Sequence, residues 1–386
     1  MDKTRKKLVK ILTLIFLVLF PFGQLLRYEV LLFGTNVTFH PIDLIVGFIF
    51  LILITGGYDK PTIYKSILAF LSVAVFSLFF SATIFGITPI IKGSFYLLRL
   101  TSYLFFFVAL INIVRTSVAK NMLYKTLILI SAIVGIFGWI QYLWLPDLRS
   151  LYFIGWDDHL YRLIGTFLDP GFTSIILVFG FLLSLVKFLE EKKKRYIVFL
   201  LFFLVTTAFT YARAAYIALL TGTYVISKVK KSLKTVLAVS ALLLLIILVL
   251  PRPEGYGVKL ERTHSIYAKI VNYKETLSII KESPLIGIGF NNVCIARQKY
   301  LGDEKSLSHA CSGSDSSLLT IFATSGVLGL ITIVKFSYEL IVMRRKAYNL
   351  AFLGCFAALI VHSIFVNSLV YPWVMGFMAI LSATRG

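Results

Sequence analysis

Residues 196–227 read YIVFLLFFLVTTAFTYARAAYIALLTGTYVIS, an apolar run carrying one charge, Arg213. A membrane-crossing helix needs about 20 apolar residues, so the run divides most simply into two short helices on either side of Arg213. An arginine at mid-membrane costs about 2.5 to 3.5 kcal/mol on insertion scales. Two readings follow: a hairpin whose arginine reaches the lipid headgroups, or a guanidinium that faces a cavity within a helical bundle. Because guanidinium stays charged and presents a planar fork of donors, the second reading suits a phosphate or pyrophosphate.

The rest of the chain has the same texture. Of 386 residues, 58% are hydrophobic and 15% charged, against roughly 25% charged in soluble domains. That leaves too little polar surface to cover a water-soluble globule, and soluble enzymes are excluded. Apolar stretches lie at about 8–26, 42–57, 66–87, 94–114, 126–145, 172–189, 196–212, 214–227, 235–250, 316–334, 348–366 and 370–384. They predict an all-α polytopic bundle of about twelve transmembrane helices, forming a single integral membrane domain over 1–386. The first stretch is too long for a signal-peptide core and no small-residue cleavage site follows Gly23, so it reads as an uncleaved span.

Charge placement orients the chain. With both termini cytoplasmic, the segments facing inward hold 24 Lys and Arg against 5 Asp and Glu, and the outward ones 15 against 13. The net charge of +21 is thus explained by the positive-inside rule beside anionic headgroups, and nucleic-acid binding loses its support. Cys294, Cys311 and Cys355 are too few for a disulfide framework or a four-ligand zinc site. Cys294 and Cys311 share one outer loop, where a disulfide is permitted by compartment.

Two outer segments exceed simple connectors, at 147–171 and 251–315, and extracytoplasmic chemistry belongs there. Within the larger one, between the ninth and tenth predicted helices, Ile266, Ile270, Tyr273, Leu277 and Ile280 recur at helical spacing and Pro284 stops the pattern. An amphipathic helix is expected over 261–282, with this apolar face on the membrane domain and Arg262, Lys269 and Lys274 on the other.

Further basic positions and three possible proton acceptors follow. Arg99 and Arg162 sit at the outer ends of predicted helices, where each either snorkels or joins Arg213 in an anion-binding surface. Arg262 and His264 open the amphipathic helix. Gly287 and Gly289 permit a tight backbone path, but no third glycine or strand context makes a dinucleotide fingerprint. Asp315 stands at the mouth of the tenth helix, either as its cap, a task Ser314 could equally perform, or as a general base; His309 and His264 compete for that base role.

Taken in order, these motifs resemble the O-antigen ligase and polymerase superfamily. The resemblance is carried by Thr210–Arg213, Arg262, Pro-Leu-Ile-Gly-Ile-Gly at 284–289, Ser-Asp-Ser-Ser-Leu-Leu from Ser314 and Ser-Gly-Val-Leu-Gly at 325–329, with Arg162, Gly165 and Asp169-Pro170 fitting the segment before the sixth span. It is clearest from about 160 to 335. It implies a metal-independent, cofactor-free inverting glycosyltransferase in the bacterial inner membrane, its active site facing outward. Its partners are a polyprenyl-diphosphate-linked glycan donor and a glycan or glycolipid acceptor. Arg213 and Arg262 match arginines that hold the donor diphosphate. Asp315 stands where the ligase branch carries histidine, which suits a polymerase; ligase is the alternative. A transporter or lipid flippase is the rival from another class, and it predicts internal repeats that this sequence lacks.

Overall fold

The structure, a computed structural model, describes residues 1–253, 255–302, 313–342 and 350–384. In chain order the elements are α1 (Lys3–Leu19), β1 (Tyr28–Leu32), β2 (Thr35–Phe39), α2 (Pro41–Ile54), α3 (Tyr64–Phe80), α4 (Ala82–Phe85), α5 (Thr88–Ile113), α6 (Ser117–Trp144), α7 (Pro170–Glu191), α8 (Arg195–Phe209), α9 (Arg213–Val229), α10 (Leu233–Val249), α11 (His264–Glu282), α12 (Val293–Leu301), α13 (Ser317–Val342), α14 (Leu350–Phe365) and α15 (Pro372–Ala383). Every one of the twelve apolar stretches contains a helix. Among the described residues, six helical segments are long and apolar enough to cross a membrane: Lys3–Leu26, Tyr64–Phe85, Thr88–Ile113, Ser117–Trp144, Pro170–Glu191 and Ser317–Val342. Five further apolar helices, α2, α8, α10, α14 and α15, are shorter. In lipid a helix satisfies its own backbone, which is why an apolar chain takes this form.

Burial ranks the helices. α7 is buried around nearly its whole circumference from Pro170 to Val186, packed by α6, α8, α9 and α14, as expected of a helix that is apolar on every side. Its start is fixed by sequence: Asp169 Oδ1 accepts the Phe172 N–H at 2.8 Å and Pro170 occupies the first turn, a cap–proline pair that pre-sets the helix. α10 lies at the other extreme. Only Leu243 is buried, and Leu233, Leu237, Leu244 and Leu248 are exposed, which suits a helix bathed by lipid tails.

One departure from the all-α expectation is a hairpin. β1 and β2 pair antiparallel, Tyr28 opposite Phe39 through Leu32 opposite Thr35, and Phe33 and Gly34 turn the chain with positive φ at both positions.

A second departure concerns α11. The helix forms as expected, from His264 to Glu282, but its predicted packing face is rotated. Of the expected face Ile266, Ile270 and Leu277 are exposed and Ile280 is buried, while Thr276 and Ile279, outside it, are buried too. The reason is polar: Lys269 and Tyr273 bond the end of α14, Asn272 bonds Asp315 just before α13, which Lys269 also faces, and those bonds fix the rotation.

The 284–289 segment then docks across α13. That helix breaks at Gly326, where φ is 64°, and the break opens backbone groups to the incoming chain. Ile288 N–H bonds Ala323 O at 2.9 Å, Gly289 N–H bonds Thr324 O at 3.1 Å, and Val327 N–H bonds Pro284 O at 2.9 Å. A Cβ on Gly326 would sit 2.2 Å from Leu285 O, so contact this close requires glycine. The two glycine-containing motifs therefore form one backbone-to-backbone joint.

Candidate active site

The joint between α8 and α9 is where the site begins. Thr210, Tyr211 and Ala212 break the apolar run, and Tyr211 takes a left-handed conformation (φ 51°), unusual for a residue with a side chain. The last carbonyls of a helix have no partner within it and carry its negative dipole end. Here they attract guanidinium. Arg162 Nε donates to Thr210 O at 3.1 Å and its terminal nitrogen lies 3.5 Å from Tyr211 O, which also accepts from Arg262 at 3.1 Å. Arg213, the first residue of α9, donates to Leu260 O (3.1 Å), Arg262 O (3.0 Å) and Ser265 Oγ (2.7 Å).

Three arginines predicted from separate parts of the chain thus gather around one turn. The run breaks into two helices at Arg213, and the guanidinium is engaged by protein groups of the 251–315 segment. Among the described residues none of the three forms an ion pair with a carboxylate. Burial followed by the charge of Arg262 pulls Arg162 below the usual guanidinium range, and burial followed by the charge of Arg213 does the same to Arg262. Backbone carbonyls hold the cations in place without cancelling them. Such an arrangement is built to receive an anion with more than one negative charge.

α11 links this cluster to Asp315. Ser265, which binds Arg213, and Lys269 lie four residues apart on one helix face, about 6 Å along its axis. Lys269 Nζ stands 3.4 Å from Asp315 Oδ2 and donates to Phe365 O at 2.7 Å. Asn272 Oδ1 accepts both the Asp315 N–H (2.9 Å) and the Ser314 hydroxyl (3.0 Å). Tyr273 donates to Ile364 O, its phenol pushed up to about 12 by burial and by Asp315. Asp315 does not cap α13, nor does Ser314; Ser316 Oγ faces the Leu319 N–H, at 3.5 Å. The Asp315 carboxylate is therefore left for other work, 42% exposed.

The remaining candidates fall elsewhere. Arg99 does not join the cluster: its Nε lies 3.2 Å from Asp43 Oδ2, a second nitrogen bonds Thr38 O, and the guanidinium covers the Tyr96 ring. His264 is exposed at the start of α11, its ring edge-on to Tyr256. His309 and Cys311 lie outside the described residues; Cys294 is disulfide-bonded. Two participants escaped sequence reading. Lys269 is expected on the face of the amphipathic helix turned from the membrane domain, and Asp43, which also accepts from Tyr103 and faces His40, is hidden inside an apolar run.

Residues 197–334 match the family model described as O-antigen ligase. The matched span includes Arg213, Arg262 and Asp315 and leaves out Arg99 and Arg162. No curated protein matches the chain.

Proposed function

We propose a specific reaction, supported by the match of residues 197–334 to the O-antigen ligase family model. A glycan passes from a polyprenyl-diphosphate carrier to a sugar hydroxyl at the outer face of the bacterial inner membrane. The observation that carries it is the gathering of Arg162, Arg213 and Arg262 around Thr210 and Tyr211, held by backbone carbonyls and, among the described residues, without a direct ion pair to a carboxylate. Breaking the bond between anomeric carbon and diphosphate leaves negative charge on the departing oxygen, and fixed guanidinium groups offset it without a metal ion. The acceptor hydroxyl attacks that carbon from the opposite face, inverting it, and gives its proton to Asp315. The diphosphate leaves with its lipid.

Polymerase is the reading favoured by the aspartate at position 315; the name of the matched family favours ligase as the second. Surface glycans from a deletion strain, complemented with wild type, Arg213→Ala or Asp315→Ala, decide between them. Loss of long chains while single repeat units still reach their carrier supports polymerase, and accumulation of lipid-linked polymer supports ligase. An unchanged size profile in the deletion strain rejects both. Asp315→Ala is expected to slow transfer by about 10²- to 10⁴-fold, as loss of a general base does.

A further inference from the structure

The chain between α6 and α7 brings together three side chains that the proposed reaction does not use. One donor atom each from Asp157, His159 and Asp169 lies within 4.8 Å of the other two. Two of the three are held firmly by backbone. The His159 carbonyl accepts the Leu148 N–H at 2.8 Å, Tyr161 N–H bonds Pro146 O at 2.8 Å, and Asp147 bridges Leu160, so His159 sits in a short antiparallel ladder and is 5% exposed. Asp169 is fixed by its cap on α7, which engages Oδ1. Asp157 is exposed and gives an ion a route in.

The donor types narrow the ligand. Calcium takes six to eight oxygens, and magnesium keeps most of its water. One imidazole nitrogen with two carboxylates suits a borderline first-row ion, zinc above all, with solvent completing the shell. We propose that Asp157, His159 and Asp169 bind a divalent zinc-like cation that ties the segment before α7 to the start of that helix. Arg162 follows His159 by three residues and feels both carboxylates, so the tie holds Arg162 where it meets Thr210. The ion has a positioning role, and glycan transfer does not pass through it; only this last consequence rests on the proposed function.

The test begins with binding. Full-length protein, purified in detergent and stripped with chelator, is titrated with zinc against a chromogenic competitor. Wild type and Asp158→Asn are expected to take up about one ion per chain, while Asp157→Asn and His159→Gln bind at least about tenfold more weakly. Zinc should raise the unfolding temperature of wild type and not of those two variants. No uptake by wild type, or equal uptake by wild type and both variants, overturns the proposal whatever the protein's activity. In a transfer assay, removing zinc should raise KM for the lipid-linked donor and leave kcat unchanged; a fall in kcat alone would overturn the positioning role.

Discussion

Arg99 and Arg213 are both arginines set among apolar helices, and the molecule treats them differently. Arg99 meets Asp43 at 3.2 Å in a pair whose side chains are 17% and 8% exposed, bordered by Tyr103 and His40. Arg213 meets two carbonyls and a hydroxyl, with Arg262 beside it and, among the described residues, no carboxylate paired to it. The first charge is complete within the chain and serves architecture. The second is held open. Under the proposed function, an arginine among apolar helices marks a ligand site only when its countercharge is missing, and the sequence position of the arginine does not reveal which case applies.

Substitutions separate the two cases. The largest effect is expected from Arg213→Ala, with transfer reduced about 10²- to 10³-fold in a lipid-linked donor assay while the unfolding midpoint stays near wild type. Equal losses of activity and stability would erase the distinction. Asp43→Asn should do the reverse. It strands a buried guanidinium, lowering stability by about 3 to 5 kcal/mol in denaturant unfolding with donor KM unchanged, and adding Arg99→Gln should recover part of that loss. Arg262→Lys keeps the charge and loses the planar fork, so KM for the donor should rise by about tenfold. The smallest effect is ionic strength: raising salt from about 0.1 to 1 M should weaken diphosphate binding at the part-exposed cluster and leave the Arg99–Asp43 pair, read by unfolding, nearly untouched.

Hydropathy made the helices legible because each of the twelve stretches had to satisfy its backbone alone. The arginine positions were legible too, as charges that an apolar run would otherwise reject. What could not be read was partnership. Asp43 and Arg99 are 56 residues apart in sequence, and nothing near either one names the other. The rotation of α11 was misread for a related cause: periodicity centres the apolar face on Ile266, Ile270, Tyr273, Leu277 and Ile280, but the bonds of Lys269, Asn272 and Tyr273 turn the helix towards the flank that carries Thr276 and Ile279, so that only the Tyr273 and Ile280 edge of that face meets the bundle. The hairpin at 28–39 was passed over because its strands are short and follow directly on an apolar helix.

The bend in α13 has a mechanical outcome. Four amide-to-carbonyl bonds stitch 284–289 across it, the fourth from Leu328 to Leu285, and Ser77 of α3 donates to Thr324 O in the same seam. At about 1 kcal/mol net for each stitch, prying the seam apart is costly. The half of α13 that follows Asp315 and the helix bearing Ser265 and Lys269 consequently travel as one lever. In the glycan transfer proposed above, room for the sugar chain would then come from the opposite side of the cluster, where Arg162 meets Thr210 and Tyr211.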